Sequence, residues 1–129
     1  MGGDERAVRA IRGATTVDED TRDQVEGRTR ALIEALLERN DLDADDLVSI
    51  VFTTTSDIRS QFPATAARGL GLDQVPLLGA MEADVDGGLA RCIRVLVTCY
   101  TARARKELRH VYLEGATVLR RDLADDQPQ

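Results

Sequence analysis

Two hydrophobic rhythms divide this chain. A weak period-two alternation over residues 6–13 predicts a short strand, with Val8, Ala10 and Arg12 on one face and Ala7, Arg9 and Ile11 on the other. Gly13 then marks a bend or a close approach of backbone to another element. From there the period lengthens. Val25, Leu32, Ile33, Leu36 and Leu37 fall on one helical face, with Thr29 filling the stripe. Thr16 and Glu19 have the spacing of a capping box and predict where that helix starts. Asp18, Glu19 and Asp20 at its start and Arg39 near its end suit the helix dipole. Gly27 weakens it by about 1 kcal/mol relative to alanine.

A turn-rich stretch over 40–46 leads into a second strand, 47–55, with Val48, Ile50 and Phe52 on one face and Ser49, Val51 and Thr53 on the other. It ends in the polar run Thr53, Thr54, Thr55, Ser56 and Asp57. Pro63 opens a short, slim helix containing Ala64, Ala66, Ala67 and Arg68, which Gly69 and Gly71 end. Residues 75–82 form a third strand, and Glu82 shares a face with Leu78 and Ala80. After an Asp- and Gly-containing loop, the longest apolar run covers 89–100. Its β-branched residues favour strand over helix. One face then carries Cys92, Arg94, Leu96, Thr98 and Tyr100, the other Ile93, Val95, Val97 and Cys99. The first face is mixed, as expected of a pocket wall or a subunit interface. A charged connection over 101–109 precedes a short strand, 110–113, and another extended piece, 116–119. The pattern predicts an α+β domain over residues 6–123, a mixed sheet of about five strands with one long and one short helix. Residues 1–5 and 124–129 are expected to be flexible.

Composition narrows what such a domain does. At 129 residues the chain is one domain, long enough to bury roughly two-thirds of the surface its unfolded form exposes. Apolar residues make up 43%, enough for a core rather than a disordered chain. Aromatics are only 3%, with no Trp, which leaves no stacking platform for single-stranded nucleic acid. A net charge of −6 does not attract nucleic acid or an anionic membrane. No apolar run approaches membrane-spanning length, and no leader is expected. Cys92 and Cys99 would lie roughly 23 Å apart on a strand or about 10 Å apart on a helix, so they do not pair. Free thiols suit a reducing cytoplasm.

The familiar catalytic sets are missing. There is no Gly-rich phosphate loop, no nucleophile elbow and no His-rich metal spacing, and the single histidine, His110, has no nucleophile beside it in sequence. Neither a metal nor a cofactor is expected. What remains is fixed charge near apolar runs and strand ends: Arg12, Arg68, Arg94, Arg120, Glu82 and the phenol of Tyr112. Among them Arg94 is set between Ile93, Val95, Leu96 and Val97, poor company for a guanidinium unless it meets an anion. The basic residues are almost all arginine, which favours forked recognition of carboxylates. A genome's compositional bias would produce the same excess, and each arginine taken singly also fits a surface position. The constellation suits a compact polycarboxylate on which charge develops.

Several segments resemble the AroH-type monofunctional chorismate mutases. They are Ile11-Arg12-Gly13-Ala14-Thr15-Thr16-Val17 before the amphipathic helix; Phe62-Pro63-Ala64 with Arg68; Val75-Pro76 with Glu82 and Asp84; Gly87-Gly88-Leu89 with Cys92-Ile93-Arg94-Val95; and Arg109-His110-Val111-Tyr112-Leu113-Glu114 with Val118-Leu119-Arg120. Their order and spacing carry the match, which runs from about Val8 to Leu123. The resemblance implies a homotrimeric pseudo-α/β-barrel, active sites between subunits, and the Claisen rearrangement of chorismate to prephenate in aromatic amino-acid biosynthesis. It also implies roles. Arg94 would face the ether oxygen, Arg12 a carboxylate, Glu82 the ring hydroxyl and Tyr112 the side-chain carboxylate. Phe62, Ala64, Leu77 and Leu119 would form apolar walls, and Arg68 and Arg120 would stand at the mouth. Thr65 stands where family members often carry Lys. Leu78 and Gly79 replace a Thr-Cys pair seen in some members, leaving the Gly79 N–H to face the ring hydroxyl. The segment 69–74 is one residue shorter than in some relatives. Two other readings share parts of this pattern: a trimeric imine deaminase of the RidA (YjgF-like) family, whose motifs are absent here, and a non-catalytic dicarboxylate-binding module that kept the fold.

Overall fold

A computed structural model describes residues 5–119. Five strands form one mixed sheet: β1 (Ala7–Thr16), β2 (Leu47–Thr54), β3 (Leu77–Met81), β4 (Cys92–Thr101) and β5 (Val111–Tyr112). Their order is β3-β2-β4-β1-β5. The long strand β4 is central and antiparallel to both β1 and β2. The outer pairs, β2 with β3 and β1 with β5, are parallel. The helices α1 (Arg22–Arg39) and α2 (Ala64–Gly69) both pack on one face of this sheet.

The core lies between that face and the helices. Leu32, Ile33 and Leu36 from α1 and Ala64 and Ala67 from α2 meet Ile11, Ile50, Phe52, Val95, Val97 and Cys99 from the strands. Each fully buried large side chain contributes about 1.5–3 kcal/mol. Gly13 is where the helix comes closest. A Cβ there would lie 2.8 Å from a Leu36 methyl and 3.1 Å from a Leu32 methyl. The close approach expected at Gly13 is therefore real, and the strand runs straight through it.

Two elements differ from the sequence pattern. β1 continues to Thr16, which pairs with Cys92, so the helix does not start at a Thr16–Glu19 capping box. The cap is Thr21, whose hydroxyl accepts the Gln24 N–H at 3.2 Å. The Gln24 side-chain carbonyl in turn accepts the N–H groups of Asp18 and Glu19. Ladder pairing with β4 claims the backbone that a local cap would otherwise use. At the other end, residues 114–119 form a 3-10 helix (Glu114–Leu119) rather than an extended piece, with Ala116 buried beneath it. Both cysteines are free and buried. No helix among the described residues is long and apolar enough to cross a membrane.

Among the described residues neither α-helix packs on the second face of the sheet, and the 3-10 helix Glu114–Leu119 covers only its end near Ala14, Cys92 and Tyr112. The outward residues of the strands leave Val8, Leu96, Tyr100 and Leu78 exposed there, at 52%, 42%, 46% and 65%. Alternation in β4 is clean: Ile93, Val95, Val97 and Cys99 are buried, while Arg94, Leu96, Thr98 and Tyr100 look outward.

Candidate active site

Arg94 stands on the outward face of β4, opposite Ala14 of β1 and Thr53 of β2. Its side chain is about one-third exposed, at 34%, and Glu82 beside it at 30%. Glu82 follows directly on β3, where its N–H donates to Thr54 O at 2.8 Å and holds it against β2. The Arg94 Nε lies 3.5 Å from Glu82 Oε2, close enough to attract but without an aligned hydrogen bond. Thr53 donates its hydroxyl to the same oxygen at 2.7 Å. A buried donor left without an aligned acceptor is costly. Arg94 therefore faces the open side of the sheet with bonding capacity unspent.

Two depressions meet at this arginine. One, of about 250 Å³, is lined by Arg12, Ala14, Val51, Thr53, Arg94 and Leu96. The other, of about 380 Å³, runs from Arg94 past Glu82 to Asp57, Val85 and Leu89. Arg12 lies opposite Leu96 in the ladder, two residues from Ala14, and so shares a face with Arg94. Tyr112 pairs with Ala14 from the other side and is buried against Ala14, Cys92 and Ala116, with Leu89 and Leu119 packed on the same cluster. The fold thus gathers Arg94, Glu82, Arg12, Tyr112 and Leu119 around one stretch of β1 and β4.

Other expected site residues lie elsewhere in the chain. Phe62, 76% exposed, and Arg68, exposed on α2, line neither depression. Ala64 and Leu77 pack on the core, on the face of the sheet away from Arg94. The residue at 77 pairs with buried Ile50, so parity turns it inward. Leu78 looks outward and is exposed. Gly79 is exposed on the edge strand with open space beside it. Arg120 lies outside the described residues.

Supporting residues emerge that the pattern did not single out. Thr53 is one; its outward position on β2 was legible, but its bond to Glu82 spans two strands. Asp57 is another. Its carboxylate accepts the Arg91 N–H at 2.9 Å, and Arg91 sits at φ 47°, a left-handed conformation that needs such a clasp. Thr55 Oγ1 accepts the Cys92 N–H at 2.9 Å, two residues before Arg94. Burial alone would raise the Asp57 pKa, but bonds from Thr55 and from the Arg91 backbone hold it below its usual value. The signal available in sequence was the polar Thr55-x-Asp57 turn. Burial pushes the Cys92 thiol up, and the neighbouring Arg94 charge only partly offsets this, so the thiol stays protonated.

The open face of this α+β sheet carries an arginine beside a carboxylate, a site with the charge to hold a small anion. The chain belongs to the type I chorismate mutase family, whose model matches residues 8–123, and is by that membership an isomerase. It is 43% identical over 118 residues to the chorismate mutase AroH of Bacillus subtilis (strain 168), spanning 91% of this chain and 93% of the relative. It is 46% identical over 121 residues to the chorismate mutase AroH of Thermus thermophilus, spanning 93% of this chain and 99% of the relative. Among solved structures, a chorismate mutase from Clostridium thermocellum superposes with a TM-score of 0.84 at 44% identity, over 85% of this chain and 98% of that one.

Proposed function

We propose that this chain rearranges chorismate to prephenate in a cleft shared between subunits of a homotrimer, as a cytoplasmic step toward phenylalanine and tyrosine. The observation that carries the mechanism is Arg94, held beside Glu82 on an open sheet face with its Nε unspent. In the rearrangement the ether C–O bond breaks as a new C–C bond forms, within one molecule and without a proton transfer. Negative charge grows on the ether oxygen. A guanidinium already aimed at that position stabilises the transition state more than the substrate.

The other groups hold the reacting conformer. Arg12 would pair with a substrate carboxylate by a forked contact. Glu82, steadied by Thr53, would accept from the ring hydroxyl, with the Gly79 N–H nearby. Tyr112 would bond the side-chain carboxylate. Leu119 and, from the neighbouring subunit, Phe62 would close apolar walls around the folded substrate. Arg68 and Arg120 would meet the dianion at the mouth. A shared cleft accounts for Phe62 and Arg68 standing apart from Arg94 within one chain. It also gives the exposed side chains of Val8, Leu78, Leu96 and Tyr100 a surface to bury against.

The test is direct. Purified protein incubated with chorismate, with no metal or cofactor added, is expected to form prephenate. Tight binding of a bicyclic diacid that mimics the transition state, with no turnover of chorismate, would instead establish a binding module. Turnover of a 2-imino acid in its place would establish a deaminase.

A further inference from the structure

The chain has one histidine, His110, and none of the chemistry above uses it. It immediately precedes β5, whose ladder with β1 pairs only Gly13 with Val111 and Ala14 with Tyr112. One residue upstream of that ladder, the Arg12 N–H donates to His110 Nδ1 at 2.9 Å. An imidazole thus takes the place of a strand partner, at the very residue whose guanidinium faces the cleft. The ring is held in register by its neighbour: Asn40, buried at the end of α1, bonds both the N–H and the carbonyl of Arg109.

We infer that His110 is a positioning residue for Arg12, its bare Nδ1 fixing the Arg12 peptide so that the site is complete only while the ring is neutral. This rests on the reading of Arg12 as the holder of a substrate carboxylate. An N–H can only donate, so Nδ1 carries no proton and the neutral ring holds its own on Nε2. Protonating Nδ1 sets two donors face to face. The contact is lost and the Arg12 peptide keeps only its ladder to β4 on the other side, where misplacement of a substrate-holding group costs turnover.

The surroundings favour the neutral ring. Arg9 and Arg105 line a cavity of about 340 Å³ together with His110, and β4 contributes the uncharged Thr98 there. No carboxylate lines that cavity among the described residues. Burial, and then the charge of Arg12, hold the imidazole below its usual 6.5. The folded state therefore prefers the neutral form. The stabilisation is fully present above pH 6.5 and is lost as pH falls through the lowered pKa.

The experiment combines imidazole nitrogen NMR with kinetics on the full chain. With a single histidine the ring signals need no assignment. The expected spectrum has Nδ1 unprotonated and Nε2 protonated at neutral pH, titrating below 6.5. His110→Ala is expected to lower kcat/KM roughly three- to tenfold, the worth of one hydrogen bond, with most of the change in KM. His110→Asn, which returns an uncharged acceptor near the Nδ1 position, is expected to rescue most of that loss and to remove the acid limb that the wild type shows below pH 6.5. An Nδ1-protonated neutral tautomer, or superimposable pH profiles for the wild type and His110→Asn, would overturn the positioning role. An Arg12→Ala variant with wild-type kcat/KM would instead overturn the role given to Arg12, while the NMR spectrum still reads the His110 contact itself.

Discussion

At the scale of single residues, the proposed mechanism rests on charges that the fold leaves partly unanswered. Arg94 is the clearest case, since its nearest carboxylate is 3.5 Å away and that carboxylate already accepts from Thr53. Arg94→Ala is expected to keep the fold, because the side chain faces away from the core. Its kcat should fall by at least roughly a hundred- to a thousandfold, the usual cost of one preorganised donor at a developing oxyanion. Unchanged circular dichroism beside a collapsed rate of prephenate formation is the result to look for; wild-type activity would end the mechanism. Thr53→Val tests the support one step back. It keeps shape and removes only the hydroxyl, so kcat/KM is expected to drop roughly three- to tenfold with little change in the urea midpoint. A shift in stability without a shift in rate would show that Thr53 serves the sheet and not the site.

Elements set where those charges stand. β4 delivers Arg94 because its alternation sends every second residue outward, and that parity was legible in sequence. The stripe of α1 was legible for the same reason: five residues of one helical face are buried in the structure, Thr29 among them. The helix start was not. Thr16 and Thr21 offer similar local cap chemistry, and only pairing with β4 removes Thr16 from contention. Likewise the apolar spacing of 116–119 does not distinguish an extended piece from the 3-10 turn that buries Ala116. Gly13 is the point at which helix and sheet are fitted to each other. Gly13→Ala is expected to destabilise the domain by about 1–3 kcal/mol, because the added methyl meets the ends of Leu36 and Leu32 in a packed core. Since those ends are flexible, the lower part of that range is expected in urea denaturation. No loss at all would mean that α1 lies further from the sheet than described.

For the whole molecule, the decisive feature is a sheet with one face covered by both α-helices and the other largely open among the described residues. A chain of this size rarely leaves Leu78, Leu96 and Tyr100 exposed on one surface without a partner for them. The proposed trimer covers that face and completes the cleft with residues that one chain holds too far away. Leu96→Glu is therefore expected to lower the mass seen in analytical ultracentrifugation from trimer toward monomer. Chorismate turnover should fall with it, while secondary structure persists. A wild-type protein that sediments as a monomer and is nonetheless fully active would place the entire site within one chain.

The sequence by itself determined the α+β class, the single long helix, the strand faces and the isolation of one arginine in apolar company. These follow from short-range periodicity, which side-chain direction imposes on any strand or helix. The order of its segments was enough to point to the family. What only the tertiary structure decided is which residues meet. Glu82, Thr53 and Arg94 come from three strands that are remote in sequence, and hydrogen bonds between strands leave no local signature. Leu77 turned to the core because its register with Ile50 fixes its parity, although a single residue of slip would have sent it to the site. His110, 98 residues further along the chain, reaches the Arg12 backbone because β5 begins only at the next residue.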